Sequence, residues 1–251
     1  MTPTLRHTLY PRERLLRLLD DLDRAAFASA TETVACTPGE APTPLSTLLP
    51  PEADAALAET AARSPTGAVL FVSAERAWLI SPPLPIAESF RGSGYQTATL
   101  RALVMQRYRI AVVLLRLGGW AVGIYDGDAL MTARNGGRFV KNRHRKGGQS
   151  QRRFERIREK QIDQLFAQLC AVAESLLMGT EAIDWLFLGG DRHTVQAFRK
   201  SCPAIAATKI PLSPRFLDVP EPRHETLERL PRLLYASRVT LWTSPTATDN
   251  A

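Results

Sequence analysis

Lys146-Gly147-Gly148-Gln149-Ser150-Gln151 is the stretch of this chain whose residue types could do chemistry. Two adjacent glycines have no Cβ and accept positive φ, so their backbone can come close to a bound molecule. Gln149 offers an amide oxygen, two side-chain donors and a backbone N–H, and none of these titrates near neutral pH. It is therefore no strong base or nucleophile. It can position a water, or donate to negative charge developing on an ester carbonyl. A bare Gly-Gly-Gln is also what a flexible turn looks like, so the flanking residues decide.

Those flanks are strongly basic. Between Arg134 and Lys160 there are eleven Lys and Arg against Glu155 and Glu159, a net +9, while the whole chain totals +7. The remainder is thus near neutral at −2, and the protein is a balanced body with one basic patch. Concentrated positive charge is the footprint of a phosphate-rich partner. Arg143, His144, Arg145, Lys146, Arg152, Arg153 and Arg156 are the candidate RNA contacts, supplying affinity and register without reading sequence. For Arg158 and Lys160 a solvated helix face is an equally good reading. His144, flanked by arginines, reads as a neutral structural or RNA-contacting group rather than an acid or base. Ser150 reads as a helix N-cap rather than a nucleophile, since no base stands at a recognisable spacing. His193 and Asp191 sit where a strand turns into a helix, which points to capping.

Composition excludes several classes. No apolar run approaches the ~18 residues a membrane helix needs, and the first twenty residues lack a signal core. Cys36, Cys170 and Cys202 are odd in number and far apart, with no spacing for a zinc site or a disulfide framework. A reducing cytoplasm fits that usage, and no metal or cofactor is expected.

The elements that must position the loop follow from periodicity. Residues 11–30 read as an amphipathic helix carrying Leu15, Leu16, Leu18, Leu19 and Leu22 on one side. A proline-rich connector leads to a helix over 53–63, then a hairpin of 67–73 and 77–81. After a soft boundary near residue 100, Ile110–Leu117, Trp120–Tyr125 and Ala129–Ala133 predict three consecutive strands around glycine turns. Asn135 to Gln151 reads as an exposed loop because it is polar and rich in glycine. A long helix running to Met178 follows, with Phe154 expected as a core anchor at the loop's base. Trp185–Leu188 predicts a strand, 195–200 a helix, 206–212 a strand, 221–234 a helix broken at Pro231, and 239–242 a closing strand. This order implies an α/β protein, a mixed sheet with packed helices, plus a smaller N-terminal α+β region. The expected organisation is 1–99 as a helix-and-hairpin region of unknown role, 100–243 as the catalytic domain with its loop at 135–151, and 244–251 as a tail.

The run from Asn142 to Arg158 closely resembles the GGQ loop and following helix of archaeal and eukaryotic class-one translation release factors. The shared features are His144 and Lys146 before the loop, Gly147 to Ser150 within it, then Arg153, Phe154, Arg156 and Arg158. A weaker resemblance spans about 100–243 and implies an RNase H-like central domain. A codon-reading domain and a GTPase-partner domain have no counterpart in residues 1–100. The chain is therefore more similar to the release-factor-like ribosome-rescue hydrolases of the Vms/ANKZF (VLRF) type, as a bacterial, actinobacterial-like member without ankyrin repeats or a zinc finger. The resemblance implies peptidyl-tRNA hydrolysis on stalled ribosomes or large subunits, with Gln149 orienting a water at the ester and Gly147 and Gly148 admitting the backbone. The implied partners are the large ribosomal subunit with its peptidyl-tRNA, the tRNA acceptor end and ribosomal RNA, with no membrane. Two alternatives stay open: an endonuclease cutting the tRNA CCA end in the same complex, and a non-catalytic ribosome- or RNA-binding module.

Overall fold

A computed structural model of the chain describes residues 5–25, 30–42, 44–140, 149–180 and 182–245, leaving out the side chains of residues 149–152. In chain order the elements are β1 (Leu5–Tyr10), α1 (Arg12–Ala25), β2 (Thr31–Cys36), α2 (Pro51–Ala62), β3 (Ala68–Ser73), β4 (Arg76–Ser81), β5 (Phe90–Ser93) and α3 (Ala98–Met105). There follow β6 (Arg109–Arg116), β7 (Gly119–Asp126), β8 (Ala129–Gly137), α4 (Gln149–Met178), β9 (Trp185–Gly190) and α5 (Arg192–Ser201). The chain closes with α6 (Pro203–Ala206), α7 (His224–Arg229), α8 (Pro231–Leu234) and β10 (Ser237–Thr243). Two units result: Met1–Gln106 with Arg232–Ala251, and Arg107–Pro231.

The first unit is built on a sheet of order β1-β10-β4-β3-β2-β5, antiparallel at every pairing. Alternate residues of β3 serve opposite faces, as the two-residue strand period requires. Leu70 and Val72 pack with Leu57 and Ala61 of α2, whereas Val69 and Phe71 pack with Leu15 and Leu19 of α1 and Leu100 of α3. Helices on both faces explain why β3 is apolar throughout rather than alternating. The hairpin expected at 67–81 is present as β3 and β4.

Three expectations change here. The helix foreseen over 11–30 ends at Ala25, and β1, β2, β5 and α3 were not foreseen. β1 is an exposed edge strand whose apolar pattern is weak, and its partner β10 lies at the far end of the sequence. The closing strand foreseen at 239–242 joins this sheet rather than the later one, because its register partners are β1 and β4. The range 100–243 expected for one domain is accordingly wider than the second unit.

That second unit holds a mixed sheet of order β8-β7-β6-β9, with β6 and β9 parallel and the other pairs antiparallel. The chain is thus a mixed α/β protein with two sheets. On one face Val113, Leu115, Val122 and Leu186 pack against Leu165 and Leu169 of α4 and Val195 and Phe198 of α5. The other face meets α7, where the Tyr125 hydroxyl donates to the Leu227 carbonyl at 2.7 Å. The strand foreseen at 206–212 is instead irregular chain after the short helix α6, and only Leu212 pairs, by a parallel bridge to Leu186. Pro203 suits the first turn of α6, and Pro211, which has no N–H to donate, stands inside the range foreseen as strand.

Candidate functional site

The basic segment joins the end of β8 to α4, and its β8 end is fixed by local chemistry. β8 continues to Gly137, which pairs with Gly119, and the Arg138 N–H then donates to the Gly118 carbonyl at 3.1 Å. Asn135, Gly136 and Gly137, expected in the loop, are therefore strand. Glycine is required there by close approach rather than by flexibility. A Cβ on Gly136 would strike the Trp120 indole, and one on Gly137 would meet the Gly118 carbonyl oxygen. Val140 then packs on the core while the neighbouring Phe139 stands 75% exposed.

Residues 141–148 lie outside the described residues, and with them Arg143, His144, Arg145, Lys146, Gly147 and Gly148. Gln149 is the first residue of α4, and Ser150 already belongs to that helix rather than capping it. The side chains of Gln149 and Arg152 are likewise outside the description. Arg153 and Arg156 are described and lie exposed along the first turns of α4.

The burial of α4 tells how it works. Its thirty residues span about 45 Å at ~1.5 Å per residue. The sheet strands of six to nine residues cover only about 20–30 Å. Full burial begins at Leu165 and Phe166, so the first turns overhang the sheet. Phe154, expected to anchor the core, is instead 42% exposed on this overhang. The fully buried stretch of the helix starts eleven residues later, at Leu165, so the first turns lie outside the core that Phe154 was expected to anchor. Phe139 on the incoming stem was missed in the sequence, although an apolar Phe-Val pair inside a polar basic run was a readable signal.

One sheet edge gathers these parts. In register, Arg116 faces Gly119, Gly119 faces Gly137, and Leu115 faces Gly190. The end of β8 therefore lies on the same edge as the carboxyl ends of β6 and β9. α5 starts there, capped by Asp191, whose side chain accepts from the Thr194 N–H at 2.8 Å and from the Thr194 hydroxyl at 2.5 Å. Those hydrogen bonds hold the Asp191 carboxyl below the ordinary aspartate range. The capping expected at Asp191 is present, and His193 is the exposed second residue of α5.

Contrary to the sequence expectation, Cys170 of α4 and Cys202 are joined by a disulfide, with Cα atoms 5.5 Å apart. The sequence hid it because the 32-residue separation is closed only by the packing of α4 beside α5 and α6. Cys36 remains a buried free thiol, and its pKa is raised by burial. Among the described residues no three His, Cys, Asp or Glu side chains gather as a metal-ligand set, and no helix is long and apolar enough to cross a membrane.

A mixed sheet backing a long overhanging helix, entered through a basic Gly-Gly-Gln segment, defines a release-factor-like class of protein. Residues 108–240, more than half of the chain, match the family described as the Actinobacteria/chloroflexi VLRF1 release factor, and the chain belongs to that family. It is also 30% identical over 122 residues to peptide chain release factor subunit 1 of Aeropyrum pernix, covering 45% of this chain and 33% of that protein. The chain thus spans about a third of the length of that curated relative. Among solved structures, an archaeal translation termination factor, aRF1, is 20% identical with a TM-score of 0.39, covering 90% of this chain and 73% of that one. The Pelota protein of Thermoplasma acidophilum is 9% identical with a TM-score of 0.29, covering 84% of this chain and 60% of that one.

Proposed function

We propose that this protein releases nascent peptides from stalled ribosomes or large subunits by hydrolysing the ester of peptidyl-tRNA. The observation that carries this reading is that Gln149 lies in the first described turn of α4, well ahead of the fully buried stretch that starts at Leu165. The unit Arg107–Pro231 is read as the RNase H-like central domain of the release factors, and the cytoplasm, where ribosomes work, as its place of action.

The chemistry follows from the groups present. A water attacks the ester carbonyl carbon, the tetrahedral intermediate collapses, and the terminal ribose oxygen leaves with a proton. The products are a peptide carboxylic acid and intact tRNA. The Gln149 amide, which does not titrate, orients the water. A backbone N–H in the opening turn of a helix has no intrahelical partner, and in this reading that of Gln149 faces the developing oxyanion. The positive end of the helix dipole favours the same negative charge. Gly147 and Gly148 leave room for the acceptor end, and Arg143, His144, Arg145, Lys146, Arg152, Arg153 and Arg156 hold RNA phosphates. Positioning supplies most of the rate, so the isolated protein is expected to be a poor esterase.

The test is incubation with stalled large-subunit–peptidyl-tRNA complexes, followed by gel and mass analysis of both products. Free peptide with intact tRNA is the expected result. Peptide still carrying 3′ nucleotides would instead make the protein an endonuclease of the CCA end. Absence of either product would leave a non-catalytic binding module and overturn the proposal.

A further inference from the structure

Residues 192–217 hold Arg192, Arg199, Lys200, Lys209 and Arg215 and no Asp or Glu, a second basic run of net +5. With this run and the +9 window both set aside, the rest of the chain carries −7. Three of the five side chains converge. Arg192, Arg199 and Arg215 line a cleft of about 390 Å³ between α5 and residues 212–216, together with Gln196, Ser213 and Phe216.

The cleft is constructed rather than accidental. The Arg192 guanidinium carbon lies 4.4 Å from the centre of the Phe216 ring. Leu212 bridges to Leu186 and Leu217 to Gly189, both in parallel, so this stretch runs along β9 toward the edge from which the basic loop leaves. Arg199 lies about 10 Å farther down α5 from Arg192, at ~1.5 Å rise per residue. The carboxylates that bracket the run are already engaged, Asp191 by Thr194 and Asp218 by Arg116 at 3.5 Å. Among the described residues neither Arg192 nor Arg199 makes an ion pair.

Guanidinium forks match phosphate oxygens in pairs, and an apolar floor such as Leu188 and Val195 suits a ribose or base face. An open groove with arginines at intervals fits a strand passing through it better than an enclosed metabolite. Its position argues the same way. Three strand spacings separate β8 from β9, about 14 Å, so one folded RNA is wide enough to reach from the end of β8 to the cleft beside β9. We infer that the cleft between α5 and residues 212–216 is a second RNA-backbone site. It grips the sugar–phosphate chain of the same assembly whose ester the loop approaches. This inference rests on the reading of the protein as one that engages RNA.

The experiment is fluorescence anisotropy of a labelled tRNA acceptor-arm hairpin titrated with the full chain over a range of salt. The parent is compared with Arg192→Gln/Arg199→Gln, and with a variant that adds Arg215→Gln. Affinity is expected to fall about tenfold in the double variant, and the slope of log K against log salt to shrink by about two contacts. Unchanged thermal melting of the single Arg199→Gln variant, whose side chain is exposed, is the folding control, and that variant alone is expected to lose about one contact of slope. Equal affinity and slope in all variants would overturn the cleft as an RNA site. So would poly-glutamate binding the parent, but not the double variant, without displacing the hairpin, since that marks an acidic-peptide site. Failure of the parent to release peptide would overturn the hydrolase reading and leave this measurement standing. Equal slopes would remove the cleft and leave the hydrolase reading standing.

Discussion

The Asp191 N–H donates to the Leu115 carbonyl at 2.9 Å while the Asp191 side chain accepts from the Thr194 N–H at 2.8 Å. One residue thus ties the end of β9 to β6 and starts α5. Asp191→Ala is expected to cost about 1 kcal/mol, and Asp191→Asn a few tenths, in urea unfolding of the chain. The pH dependence has a definite sign. The folded carboxyl is held down by Thr194, so it binds its proton less readily than the unfolded one. Its contribution is present above the unfolded value of ~4 and is lost as pH falls through the lower folded value. The parent's advantage over Asp191→Asn should therefore shrink on acidification below about pH 4. A constant difference would show that the carboxylate charge plays no part.

Gly190, one residue earlier, has φ +107°, and a Cβ there would run into the Leu115 backbone oxygen. Gly190→Ala must therefore both adopt a disfavoured backbone and push β6 away from β9. A loss of at least about 2 kcal/mol is expected in the same unfolding assay. An effect under half that size would mean the turn relaxes without disturbing the pairing.

Tyr125 is fully buried, and its hydroxyl donates to the Leu227 carbonyl. Tyr125→Phe should cost about 1 kcal/mol, the net worth of one buried hydrogen bond, since the Leu227 carbonyl keeps the Leu230 N–H at 3.2 Å. Burial raises the phenol's pKa well above its ordinary value. The neutral form is the one the fold accepts, so this stability is present below the unfolded value of ~10 and falls away as pH rises beyond it. Tyr125→Phe should lack that alkaline decline.

Elements dictated by local periodicity were legible in the sequence. β6 to β8, α4, β9 and α5 each repeat apolar residues at a strand or helix period, and Asp191 announced its helix. What stayed hidden depends on contacts between distant residues. β1 and β10 recognise each other across nearly the whole chain, and nothing in Leu5–Tyr10 alone marks an edge strand. Glycines mislead in the same way: Gly136 and Gly137 read as loop, yet they are small because Trp120 and Gly118 press on them. Phe154 looked like an anchor because helix periodicity cannot tell where a sheet stops. Gln149 and its basic neighbours were legible as a motif, while the arginine cleft required the fold to bring α5 beside residues 212–216.

The Cys170–Cys202 bridge ties the middle of α4 to the start of α6, across 32 residues. Loop-closure entropy alone would make it worth roughly 3–4 kcal/mol to the oxidised chain. Bridges are uncommon where thiol buffers act, so a cytoplasmic protein would hold this one open to reduction. Dithiothreitol should lower the urea midpoint of the parent and leave Cys170→Ala/Cys202→Ala unchanged. If reductant moves neither midpoint, the bridge does not contribute to stability.

Arg153 and Arg156 stand on the overhanging turns of α4 with no part in its core, so their charges can be removed without unfolding the helix. Arg153→Gln/Arg156→Gln should leave stability within about 0.5 kcal/mol, as exposed substitutions do. It should weaken binding to large-subunit–peptidyl-tRNA complexes and reduce the salt slope by between one and two, because each phosphate contact releases close to one counterion. Gln149→Ala should do the reverse, keeping the salt slope of the parent while slowing peptide release by ~100-fold or more, the loss typical when a transition-state donor is removed. The two variants separate grip from chemistry only if the helix tip acts as argued. A Gln149→Ala protein that releases peptide at the parental rate would remove Gln149 from the reaction. An Arg153→Gln/Arg156→Gln protein with an unaltered salt slope would move the RNA contact elsewhere on the chain.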